Sequence, residues 1–338
     1  MRTRHAPTRR SGMVLVVVLM ILCVIMALVL EFHHDSRIGL QLAENTRAAY
    51  QALNCAQAGL ALATMALEQT RGIGTDDKLV EILTGSVQVP IGEGRCTISV
   101  TGESGRINVN ELVDGSGRPV RKKIDQLLLL IDVLNAQNGG EDPISYELVP
   151  AIIDWIDPDD QVTVLPFVEG RNAGAESDYY RGIEKPYECK NGPLDVLGEL
   201  MLIKGVTKGI LYGGSQTQQG GSTVGLAAFL TVHGRGRLNI NEASVIMLQT
   251  LSVQIDRAMA ERIVQHRPYM SLNELAKVPG MTPEVLKVIR EHTTVQAGDE
   301  YYTVTACGTV GTATRTLRVV LCRDRRQGRV IPVVRWEM

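Results

Sequence analysis

Aromatic residues are scarce in this chain: three Phe, two Trp and nine Tyr among 338 residues. So few flat rings cannot pave a carbohydrate groove or a single-stranded nucleic-acid platform, both of which rest on repeated stacking. Excess positive charge is also missing. Lys and Arg number 35 against 37 Asp and Glu, a formal charge of −2, and four arginines lie in the first twelve residues, leaving −6 for the remainder. Such a balance repels a polyanion unless a local basic patch compensates. Neither a Gly-x-Ser-x-Gly elbow nor a phosphate loop is present. The six histidines (His5, His33, His34, His233, His266, His292) show no metal-ligand pattern beyond one adjacent pair. Nothing supports an enzyme. Cysteines are few, and the five after Cys23 are an odd number, so at least one is free or pairs between chains.

What the chain does have is concentrated first at its N-terminus. Met13 to Leu30 is eighteen residues without a charge, about the length that spans a bilayer core. Arg2, Arg4, Arg9 and Arg10 precede it and no Arg or Lys follows until Arg37, which places the N-terminus in the cytoplasm and exports the bulk. A secretory signal peptide or simple anchor is the plain alternative, but the run leads into Glu31-Phe32-His33-His34-Asp35 with no Ala-x-Ala-type site. No proline interrupts Ser36 to Gln69, and apolar residues recur at helical spacing through Ile38, Leu42, Leu53, Leu60 and Leu67. One helix of fifty-odd residues, half in lipid and half in water, is expected. A basic leader ending in Gly12, directly before the apolar helix, resembles the type IV prepilin signal, which implies cleavage between Gly12 and Met13. The fifth residue after that cut is Val17, where a pilin usually carries Glu.

The exported part reads as α+β. After a Gly-bearing break at Arg71 to Gly74 and a short helical stretch from Asp76 to Leu83, Arg95–Val100 alternates like a strand. Tyr302–Cys307 and Thr314–Leu321 read as a hairpin around Gly308 and Gly311, with Cys307 and Cys322 out of register, and Val330–Arg335 as a final strand. The expected plan is a pilin-like long N-terminal helix packed on an antiparallel sheet, with a large α-helical insertion. Its segments are a leader (1–12), a membrane stretch (13–30), the first part of the pilin-like domain (31–105), a first helical subdomain with an acidic loop (106–235), a second (236–297), and the C-terminal strands (298–338). Gly213 to Ser222, rich in Gly, Gln and Ser, reads as a flexible loop.

An internal repeat organises the insertion. Gly105-Arg106-Ile107-Asn108-Val109-Asn110-Glu111 returns as Gly236-Arg237-Leu238-Asn239-Ile240-Asn241-Glu242. Leu197-Gly198-Glu199-Leu200, then Gly205, Thr207 and Leu211, returns as Leu272-Asn273-Glu274-Leu275, then Gly280, Thr282 and Leu286. The Asn closing each first motif suits a helix N-cap, and each Gly suits a turn with positive φ. Two related subdomains of SAM-like or helix-hairpin-helix type follow. Ala258 to Arg290 resembles the hairpin unit that grips DNA phosphate in other proteins. Between Asp256 and Glu291, however, six basic and five acidic residues leave one net positive charge, too little for a phosphate footprint.

The first copy holds an extra loop with Asp154-Trp155-Ile156-Asp157-Pro158-Asp159-Asp160, followed by Gly174-Ala175-Glu176-Ser177-Asp178. Gathered carboxylates repel one another unless a hard cation such as Ca²⁺ collects six to eight oxygens. The candidate ligands are Asp157, Asp159, Asp160, Glu176 and Asp178, with Asp154 as a second-choice ligand or a cap. A solvated acidic loop is the plain alternative, since the spacing is not that of an EF-hand.

Taken in order, Gly12-Met13 with Val17, Gly-Arg-Ile-Asn-Val-Asn, Asp-Trp-Ile-Asp-Pro-Asp-Asp, Gly-Ala-Glu and Asn191-Gly192-Pro193-Leu194-Asp195 resemble the general secretion pathway protein K family, the minor pseudopilins of type II secretion. The likeness runs over nearly the whole chain; Glu176-Ser177-Asp178 departs from the adjacent acids of many relatives. The resemblance implies a calcium-binding insertion and a single-pass inner-membrane protein with its bulk in the periplasm. It also implies a role at the pseudopilus tip, nucleating assembly for protein export. The implied partners are the I- and J-type minor pseudopilins, the major pseudopilin and the prepilin peptidase, with no nucleic acid. A membrane-tethered DNA receptor of competence type and a minor pilin of a type IV pilus are the alternatives. Substituting Gly12 should leave full-length, unprocessed protein in the membrane; normal N-terminal processing of the variant, read by mass spectrometry, contradicts the prepilin signal.

Overall fold

A computed structural model describes residues 11–69, 86–138, 143–168, 172–216, 222–234, 236–295, 300–324 and 329–337. The expected leader, apart from its last two residues, and the expected break and helix between 71 and 83 lie outside them.

Helix α1 spans Ser11–Gln69, 59 residues without a proline. Its first part, Met13–Leu30, is exposed along its whole length, and it is long and apolar enough to cross a membrane. Its second part changes character. Ala52, Ala56, Ala63 and Leu67 are buried against a five-stranded antiparallel sheet whose order follows the chain. The strands are β1 (Val87–Ile91), β2 (Gly94–Gly102), β3 (Glu300–Val310), β4 (Ala313–Asp324) and β5 (Arg329–Glu337). Alternation sets the inward face: Cys96, Ile98 and Val100 of β2, Val304 and Ala306 of β3, and Leu317, Val319 and Leu321 of β4 all meet α1. The expected hairpin is therefore present and longer than the sequence suggested, while β1, short and half-exposed, gave no clear signal. Cys307 lies opposite Thr316 and Cys322 opposite Tyr301, so the two thiols are out of register as expected.

Small residues let α1 lie close to the sheet. A Cβ at Gly308 would collide with the Ala52 carbonyl oxygen and come within 2.7 Å of the Ala56 nitrogen, so backbone meets backbone there.

Between β2 and β3 the insertion forms its own core, built around Leu127, Leu130, Leu134, Ile152, Leu248 and Ile263. The two sequence copies fold alike. Each closes on a two-residue parallel strand pair, Ile107–Asn108 with Leu230–Thr231 and Leu238–Asn239 with Thr293–Thr294. The first Asn of each motif is the cap: Asn108 accepts from the Asn110 amide and Asn239 from the Asn241 amide. That corrects the assignment of the cap to the closing Asn. Asn110 and Asn241 instead clamp one distant residue each, donating to its carbonyl and accepting from its amide: Leu194 (2.9 and 2.7 Å) and Tyr269 (2.9 and 2.8 Å). Thr207 and Thr282 cap the last helix of each copy, and Gly205 and Gly280 both take φ of +82°. The expected flexible loop instead begins and ends in paired strands, Gly213–Gln216 and Ser222–Val224; the residues between lie outside the description.

Gly308→Ala should lower the melting temperature of the detergent-solubilised chain sharply, because the added methyl meets rigid backbone. Gly39→Ala, on the open part of α1 with no atom near its Cβ, should be neutral or slightly stabilising. Equal melts for the two variants contradict this packing.

Candidate metal centre

The acidic loop follows two packed helices of the first subdomain. Helix α2 (Arg121–Gln137) packs beside α3 (Leu148–Ile156), and every residue of α3 is buried. A helix so apolar carries Asp154 into the interior on its last turn, and Asp157 ends it as C-cap. Pro158 then turns the chain out. Trp155 packs edge-on and Tyr187 stacks against Tyr180, each with ring centroids 5.2 Å apart.

Asp154 is wholly buried; its Oδ1 accepts from the Thr163 amide at 2.8 Å, and its Oδ2 has no partner. Gly174 explains the approach of the second segment, because a Cβ there would strike Asp154 Oδ2 and come within 2.6 Å of the Pro150 carbonyl. That contact delivers Glu176, also buried, with neither carboxylate oxygen bonded. Asp157 is buried too, and its Oδ1 is unpartnered. One oxygen each from Asp157, Asp159 and Glu176 lies within 4.8 Å of the others. Among the described residues, eight buried side-chain polar atoms lack a partner, and five of them are oxygens of Asp154, Asp157, Glu176 and Asn191. Native interiors leave few such atoms, so this concentration calls for a missing partner.

Charge points the same way. Burial, then the neighbouring Asp154 and Asp159, push Asp157 up to about 7. Burial, then Asp154, Asp157, Asp160 and Asp159, push Glu176 up to about 8. Burial raises Asp154 as well. Asp157 and Glu176 favour the fold while protonated, and that contribution is lost as pH rises through 7 to 8. No described basic side chain forms an ion pair with any of them; Lys204, which reaches the Gly174 carbonyl, pairs with Glu147 at 2.6 Å.

Of the expected ligands, Asp157, Asp159 and Glu176 are brought together; Asp154, the second choice, is buried close enough to raise Asp157 and Glu176 but lies outside that group of three. Asp160 is turned aside, its Oδ1 accepting from Ser177 Oγ (3.1 Å) and Asn191 Nδ2 (3.2 Å). Asp178 is not part of the cluster: its side chain is fully exposed and pairs with Arg181 at 3.5 Å. It opens the five-residue helix Ser177–Arg181, and that first turn swings it outward. The residue that spacing missed is Asn191, a neutral side chain far along the chain.

In the second subdomain, helix α4 (Arg257–Gln265) and helix α5 (Pro283–His292) form the hairpin pair. Its arginines are used internally: Arg257 bonds Glu261, Arg262 the Pro279 carbonyl and Arg290 Asn273.

Residues 105–212 match the family model described as type II secretion system, protein K. Residues 234–294 match a helix-hairpin-helix motif. Comparison with curated protein sequences finds no match. Among solved structures, the chain is similar in fold to one in the crystal structure of the GspK-GspI-GspJ complex from the enterotoxigenic Escherichia coli type 2 secretion system. The TM-score is 0.58 at 17% identity, covering 90% of this chain and 99% of that one.

In chelator at pH 8, Glu176→Gln should raise the melting temperature, because it removes one of several buried like charges. In millimolar calcium the same change should lower it relative to wild type. Lack of this reversal contradicts the cluster as a cation site.

Proposed function

We propose that this chain, whose residues 105–212 match the type II secretion system protein K model and whose fold is pilin-like, is a minor pseudopilin that caps the pseudopilus tip. There it helps nucleate assembly of the fibre that drives protein export. It acts as a non-enzymatic subunit anchored by α1 in the inner membrane, with the rest in the periplasm. The observation that carries the reading is the size and place of the insertion. Almost two hundred residues with their own core stand between two neighbouring strands of the sheet. A fibre built by stacking α1 helices has room for such a body at its end and not along its shaft. Val17 fits that position: a carboxylate in lipid needs a partner charge, and a terminal subunit has no subunit above to offer one.

The partners this reading requires are the I- and J-type minor pseudopilins, which share a complex with the protein K of the solved structure. The exposed stretch of α1 from Ile38 to Tyr50 offers them apolar side chains above the membrane. Calcium belongs to the same reading. Asp154, Asp157 and Glu176 are hard oxygen donors with buried, unmatched charge, Asp159 is an exposed donor beside them, and together they would hold the ion. Bound there, it supplies the positive charge that the loop otherwise lacks, tying the 154–160 and 174–176 segments together. The helix-hairpin-helix match fits a structural helix pair, because its arginines are spent on internal bonds.

Co-expressed with the other pseudopilins and extracted in detergent, the full chain should co-purify with both minor types. Cysteine crosslinks should place it once per fibre. Crosslinks repeating along the shaft, or no complex with either minor type, contradict the tip assignment.

A further inference from the structure

Asn191 opens the Asn-Gly-Pro-Leu-Asp segment, and its surroundings ask for more than a turn. Its backbone holds φ of +46°, the single non-glycine residue at positive φ among those described. Positive φ costs energy for a side chain with a Cβ, and glycine sits there freely. A glycine follows immediately at 192, so the chain could place one here too. Asn191 is nonetheless fixed in this conformation by its side chain. Nδ2 donates to the Asp159 carbonyl (3.0 Å) and to Asp160 Oδ1 (3.2 Å). Those two bonds orient the amide, so its oxygen is the end left over: Oδ1 is buried and has no partner. The segment reaches the site because Cys189 Sγ donates to the Asp154 carbonyl and the Gly192 amide to the Trp155 carbonyl, laying it along the end of α3.

We propose that Asn191 is a member of the cation site, with Oδ1 as a neutral oxygen ligand and Nδ2 as the group that positions Asp159 and Asp160. The inference rests on the calcium reading above. Calcium takes six to eight oxygens, and each further carboxylate adds repulsion to a site already carrying Asp154, Asp157, Asp159 and Glu176. A carboxamide adds an oxygen without charge. Its amide end also holds the 159–160 turn, keeping Asp159 beside Asp157 and Glu176 and turning Asp160 aside. The strain at φ +46° then has a return that glycine could not give.

Calcium binding to the detergent-solubilised full chain, read by calorimetry and by the calcium-dependent rise in melting temperature, tests the proposal in three proteins. In Asn191→Gly, which relaxes the backbone, melting in chelator should be unchanged or higher, while calcium affinity falls by about 10- to 100-fold, as for other groups that orient metal ligands. In Asn191→Asp, which restores an oxygen but loses the donor and adds charge, melting in chelator should fall, while calcium binding exceeds that of the glycine variant. Wild-type calcium affinity in Asn191→Gly overturns the assignment and leaves Asn191 a turn residue. A wild-type chain that shows no calcium binding overturns the calcium reading itself, and the inference with it.

Discussion

Burial of like charge is the constraint around which the first subdomain is built. Asp154, Asp157 and Glu176 are held out of water by an apolar helix and an aromatic layer, and no cation among the described side chains answers them. A protein interior penalises an ionised carboxylate far more than a hydrated one, and several together more still. The rest of the loop is arranged to hold them there: Gly174 yields its Cβ space to Asp154, Thr163 and Asn191 tie the flanking turns, and the Cys189–Asn191 segment closes along α3. A fold that accepts this cost without an ion spends stability for nothing visible. With a divalent ion, the same arrangement becomes a staple across a loop that has few strands or helices of its own.

Such a staple would firm up an insertion that is joined closely to the sheet. The junction shows how. Buried Glu103 accepts from Thr303 Oγ1 of β3 (2.6 Å) and pairs with Arg106 (3.2 Å), while its own amide bonds the Tyr301 carbonyl. The next residue, Ser104, gives its carbonyl to the Asn239 amide of the second subdomain at 2.8 Å, and Gly105 lies against the Glu242–Ala243 backbone. Sheet and both subdomains thus meet within three residues. A rigid head on a long helix suits a subunit that others assemble against, because little ordering entropy remains to be lost on binding.

Much of this was legible in the sequence. The proline-free run to Gln69, the alternation in β2, β3 and β4, and the repeated Asn-x-Asn and Leu-x-Glu-Leu motifs each report a local rule, and local rules survive folding. What spacing could not give is which carboxylates converge. Asp178 and Glu176 are two residues apart, yet a helix turn sends one out and the other in. Asp154 read as a second-choice ligand or a cap because it sits one turn before Asp157, while its unpartnered oxygen becomes visible only with Gly174 in place. Asn191 lies some thirty residues from Asp159, and no periodicity joins them. The two Asn roles of the repeat were misassigned for a similar reason: a cap is a local contact, whereas the clamp on Leu194 or Tyr269 is set by tertiary approach.

Hydrogen–deuterium exchange on the full chain, with and without calcium, tests the central claim most directly. The account predicts that chelation releases protection in residues 154–165 and 172–181 and in the Cys189–Gly192 segment, while β2, β3 and β4 exchange as before. Identical exchange across the loop at saturating calcium and in chelator contradicts it.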